Sequence, residues 1–116
     1  MADIVNIGLY PTAHTTASNL LDRFDTLIDV AKYAFAFAVK NKVQIIPVDI
    51  SSTESKKTVW NVGSVDPDGY MVSLIGIIFN NTHEPYKQIE FLINAGLLRI
   101  HEMIESDPKF DIFSLL

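Results

Sequence analysis

The sequence predicts an α+β domain. Its expected form is a mainly antiparallel sheet of three strands, possible as four, packed on two long helices, in the order (β)-α-β-β-β-α with an apolar C-terminal tail. Three observations predict it. Apolar residues recur at helical spacing in two segments, from Asn19 to Ala38 and from Pro85 to Glu105. Between these segments lie three runs rich in β-branched and aromatic residues, Val43 to Ile50, Thr58 to Val65 and Tyr70 to Phe79. Asp66-Pro67-Asp68-Gly69 separates the last two runs and reads as a hairpin turn, because proline fixes one turn angle and glycine supplies a positive φ.

Taken in order, Ile4 to Tyr10 is a short strand candidate ended by Pro11. The small polar stretch Thr12 to Asn19 reads as a loop whose Thr16, Ser18 or Asn19 caps the first helix. In that helix Leu20, Phe24, Leu27 or Ile28, Ala31, Ala34 or Phe35, and Ala38 share one side, and Asp22, Asp25, Asp29 and Lys32 take the other. Val43 to Ile50 contains Pro47, which suits an edge strand. Tyr70 to Phe79 is almost continuously apolar, which predicts a central strand buried on both faces and therefore two covering layers. Pro85 opens the last helix at a position that needs no N–H donor. Gly96 interrupts that helix at a cost of about 1 kcal/mol against alanine, and permits close approach of another backbone, with the alanines of the first helix as partners. Ser106-Asp107-Pro108 ends it.

Composition narrows the function classes. The 116 residues are 48% hydrophobic and 20% charged, as expected of one globular domain spanning 1–116. A chain of this size hides roughly two-thirds of its unfolded surface, so no staple is required. Cysteine is absent, which excludes disulfides, thiol nucleophiles and cysteine metal sites. Nine basic residues against 14 acidic leave a net charge of −5, unfavourable for nonspecific nucleic-acid binding or an anionic membrane surface. Asp3, Asn6 and Gly8 spoil any N-terminal secretion signal, and the longest apolar run, Tyr33 to Val39, is far short of a membrane span. A cytoplasmic protein is expected. The helix, three strands, helix order is similar to that of the double-stranded-RNA-binding domain. The likeness stops at topology, because the second helix opens with a single lysine, Lys87, where such a domain gathers several.

Few residues point to chemistry. His101 and Glu105 stand one helical turn apart, as two metal ligands would, but the pattern lacks a third ligand and the second histidine of a zinc helix. Glu102 and Glu105 lie against the helix dipole, with Arg99 or Lys109 placed to neutralise them. Asp22, Asp25 and Asp29 form an acidic stripe that reads as a solvated face, with Lys32 in reach of Asp29. Asp66 to Gly69 lacks the downstream ligands of a calcium loop, and Ser51 to Lys57 lacks the glycines of a phosphate loop. No spacing singles out a nucleophile, so no catalytic residue and no cofactor is assigned.

Surplus apolar surface is the stronger signal. Val30, Tyr33, Ala34, Phe35, Ala36 and Phe37 cover nearly the whole circumference of the first helix's second half. The tail, within 106–116, carries five large apolar side chains and reads as a docking arm. The expected function is therefore a protein–protein interaction or assembly module, a homo-oligomer or a subunit of a larger complex, with Tyr33, Phe37, Phe110, Phe113 and Leu116 as contact residues. The alternative is a small-molecule pocket between helices and sheet lined by Tyr10, His14, Trp60, Tyr70 and His83.

Overall fold

A computed structural model describes residues 3–41, 56–78, 84–107 and 109. The described elements are β1 (Asn6–Leu9), α1 (Pro11–Leu20), a 3₁₀ turn (Leu21–Arg23), α2 (Leu27–Lys40), β2 (Lys57–Asn61), α3 (Val62–Val65), α4 (Tyr70–Ile78) and α5 (Pro85–Ser106). The predicted strand Val43 to Ile50, the loop residues 51–55, and the apolar tail from Phe110 onward lie outside the described residues.

The predicted three- or four-stranded sheet is corrected: the described residues are mostly helical, and their only sheet is an antiparallel pair, β1 with β2. In it Ile7 faces Trp60 and Leu9 faces Lys57, with a bulge between Ile7 and Gly8. Ile7, Leu9 and Trp60 are buried. β1 agrees with the expected first strand.

The decisive departure is α4, where a central strand was expected. Asp66 Oδ1 accepts from the Met71 N–H and Oδ2 from the Val72 N–H, both at 3.1 Å, which caps the first turn of a helix. The turn Asp66–Gly69 thus delivers the chain into α4, with Gly69 at φ 74°. Burial follows the helical period, since Met71 and Ile75 are inside while Ser73 and Ile77 are outside; a strand would have put all four on one face. Thr58 to Val65 also splits. β2 ends at Asn61, whose side chain accepts from the Ser64 N–H at 2.8 Å and starts the single turn α3.

The predicted first helix is two helices. Ala13, Thr16, Ala17 and Leu20 supply a buried stripe at helical spacing, and Pro11 occupies the first turn, so the expected loop Thr12 to Asn19 is α1. The Thr16 hydroxyl donates to the Thr12 carbonyl at 2.8 Å. After the 3₁₀ turn, Thr26 caps α2 by accepting from the Asp29 N–H at 3.2 Å.

The last helix forms as the sequence predicts, and the rest of the chain is assembled on it. α5 touches α1, α2, α4 and β1, and every residue from Leu92 to Leu98 is buried. Its N-terminus is capped from far away in sequence, by Asp3, whose carboxylate accepts from the Tyr86 N–H at 2.7 Å and the Lys87 N–H at 3.1 Å. At Gly96 the backbone of α2 presses in: a Cβ there would stand 2.3 Å from the Ala34 carbonyl oxygen. The expected close approach to an alanine of the earlier helix is thus met at Ala34.

Gly96→Ala therefore forces α2 and α5 apart, and we expect it to destabilise the fold by about 3 kcal/mol, read as a lower urea midpoint. An unchanged midpoint would contradict the crossing. Asp66→Ala removes both cap bonds of α4 and should cost about 1–2 kcal/mol with a loss of helical circular dichroism.

Candidate functional site

Two surfaces stand out, one polar and one apolar. The polar one arises because, among the described residues, β1 has β2 on one edge only. On the other edge Gly8 and Tyr10 present main-chain groups that need partners. α5 provides them with side chains one turn apart. Glu90 Oε2 accepts from the Gly8 N–H at 2.9 Å, Asn94 Oδ1 accepts from the Tyr10 N–H at 2.9 Å, and Asn94 Nδ2 donates to the Gly8 carbonyl at 3.0 Å. The second oxygen of Glu90 is paired with Lys56, whose ammonium also lies 5.8 Å from the centre of the Tyr10 ring. A shallow cleft of about 170 Å³ opens over this cluster, reaching Lys87 and Phe91.

The cluster is structural in its bonding. The four buried polar side chains among the described residues, Thr16, Asp66, Glu90 and Asn94, all bond to main-chain groups.

The apolar surface is the outward side of α4. Tyr70 is 77% exposed, Ile77 75%, Ile78 42% and Leu74 37%, and no charged residue occurs in the helix. Tyr70, Leu74 and Ile77 follow one another at i, i+4 and i+7, so they form a single ridge. Tyr70 also borders a cleft of about 280 Å³ walled by Lys32, Phe35, Val65, Met71 and the Asp66–Asp68 turn.

The residues singled out from sequence are dispersed. Tyr33 and Phe37 lie inside the chain, 7% and 2% exposed, in the core built around α5; Tyr33 stacks at a tilt on Phe24, with ring centres 5.4 Å apart. Phe110, Phe113, Leu116 and His83 lie outside the described residues. Of the pocket candidates, Tyr10 borders the polar cleft, Tyr70 the cleft beside α4, Trp60 is buried on β2, and His14 is half-buried on α1, in a helix where a loop was expected. They do not converge on one cavity. His101 Nε2 stands 3.8 Å from Glu105 Oε1 on the outer end of α5, and Arg99 pairs with Glu102 at 3.7 Å. Among the described residues no three potential ligands gather around a point. No helix of the described residues is long and apolar enough to cross a membrane.

No protein-family model matches the chain, and comparison with curated proteins and with solved structures finds no match.

Glu90, Asn94, Asp3 and Asp66 are the residues whose roles sequence reasoning missed. Glu90 and Asn94 carried a signal, since a carboxylate and an amide one turn apart interrupt the apolar face of α5 between Ile89 and Leu97. Asp3 carried none, because the helix N–H groups it caps are more than eighty residues away. Asn94→Ala leaves the buried Gly8 carbonyl and the part-buried Tyr10 N–H without this partner, and we expect a loss of about 3 kcal/mol in urea unfolding. A loss below about 1 kcal/mol would mean that water replaces the amide at this edge.

Proposed function

We propose that this protein is a non-enzymatic interaction module that assembles, with itself or as a subunit of a larger complex, through the outward face of α4. The observation that carries the reading is the ridge Tyr70, Leu74 and Ile77, left open to solvent on a helix without a charged residue. Scattered apolar side chains are ordinary on protein surfaces, but contiguous ones on a single helix mark a surface that a partner covers. The buried polar groups support the same reading, because they are engaged in holding β1, α4 and the α1 backbone. Tyr33 and Phe37 serve the chain's own core, which moves the contact surface from α2 to α4.

In a lysate of the native cells, the chain should elute in size exclusion well above the position of a monomer. Ile77→Lys, at a position whose side chain supports nothing inside the fold, should return it to the monomer position while circular dichroism of the purified variant stays unchanged. If the wild type elutes as a monomer both in the lysate and as purified chain at about 500 µM, the reading is wrong.

A further inference from the structure

The two clefts differ in whether their charges are already used. In the polar cleft over Glu90 both lysines are engaged, Lys56 with Glu90 and Lys87 with Glu84 at 3.5 Å. In the cleft of about 280 Å³ beside the start of α4, two charges of opposite sign are left open. Its apolar lining comes from three elements: the buried Phe35 of α2, Val65 of α3 and Met71 of α4, with the exposed Tyr70 at its border. Three charged residues join them. Asp66 is buried, and both its carboxylate oxygens are taken up by the N–H groups of Met71 and Val72. Lys32 of α2 and Asp68 of the turn before α4 are exposed, and among the described residues neither has an ion partner. Lys32 is thus not paired even with Asp29, one helical turn before it.

We propose that this cleft binds a free apolar amino acid as its zwitterion, with the carboxylate on Lys32, the ammonium on Asp68 and the side chain against the apolar lining. Sites for small molecules combine a mostly apolar lining with a few polar groups that fix orientation, and that is the make-up of this cleft. Its volume lies at the low end of the range of about 300–1,000 Å³ usual for such sites, which suits a ligand of amino-acid size. Charge decides the class. A ligand that is only a cation would answer Asp68 but meet its like in Lys32, and one that is only an anion would answer Lys32 but meet Asp68. A neutral apolar molecule would answer neither. A ligand carrying both signs beside an apolar group matches the two open charges and the lining together. This reading does not rest on the ridge of α4, since Ile77 does not line the cleft.

The test is titration of the purified full chain with L-phenylalanine and with L-leucine, followed by amide resonance shifts in NMR up to about 10 mM ligand, a range that covers millimolar affinity. Beside each amino acid run two analogues, the amine that lacks the carboxylate and the acid that lacks the ammonium. At least one of the two amino acids should bind with a Kd of about 1 mM or tighter, and its one-charge analogues about tenfold more weakly. Lys32→Gln and Asp68→Asn change exposed side chains and should keep the wild-type circular dichroism while weakening the amino acid about tenfold. The preference should move with the charge: Lys32→Gln no longer separates the amino acid from its amine analogue, and Asp68→Asn no longer separates it from its acid analogue. Ile77→Lys should bind as the wild type does, so this test and that of the interaction reading fail independently. Neither amino acid shifting a resonance by about 10 mM, an analogue binding as tightly as its amino acid, or binding that either charge variant leaves unchanged overturns the proposal.

Discussion

The rest of the structure depends on how α5 closes the free edge of β1. Two strands alone are at best marginally stable in water, and among the described residues β1 has β2 on one side only. Glu90 and Asn94 substitute for a third strand by bonding the N–H and carbonyl of Gly8 and the N–H of Tyr10. Because a buried unmade bond costs more than a made one gains, these contacts fix where β1 lies and how α5 is rotated about its axis. The same rotation aims Ile89, Ile93, Leu97 and Ile100 into the core. Asp3, three residues before β1, then reaches the first turn of α5, so strand and helix are tied at two places.

Once α5 is fixed, its crossing with α2 follows. Gly96 lets the Ala34 carbonyl come closer than any side chain would allow, and Phe35 and Phe37 beside Ala34 in sequence are buried in the core. This explains how α2, apolar around most of its circumference, is covered within one chain: α1, α3 and α5 all touch it. α4 is in a different position. It contacts α5, with Met71 and Ile75 buried, while Tyr70 and Ile77 stand exposed.

What was legible in the sequence was local and periodic. α5 was readable over nearly its full length because its apolar spacing, its opening proline and the following Ser-Asp-Pro agree. β1 was readable from Ile4 to Pro11, and Gly96 announced its own contact. The failures have physical causes. Leu20, Phe24 and Leu27 keep helical spacing across a 3₁₀ turn, so periodicity ran through a break that Thr26 and Asp29 mark with cap residues. In Tyr70 to Ile78 nearly every side chain is apolar, which erases the difference between periods of 2 and 3.6. Asp66 decides the matter by capping two N–H groups, and an aspartate before Pro-Asp-Gly serves a hairpin turn as readily as a helix start. The candidate site was less legible, because exposure depends on tertiary placement. Tyr33 and Tyr70 look alike in sequence, yet Tyr33 is buried beside Phe24 and Tyr70 stands exposed.

The error about Tyr70 to Ile78 nevertheless contained a sound requirement. A segment apolar on all sides calls for cover on all sides, whether it is a strand between two layers or a helix within a bundle. α5 supplies one layer, against Met71 and Ile75, and a helix of this length cannot turn its remaining apolar residues inward without unburying those two. The demand for a second layer therefore passes from the inside of the chain to its surface. There it falls on Tyr70, Leu74 and Ile77, which stand exposed on α4.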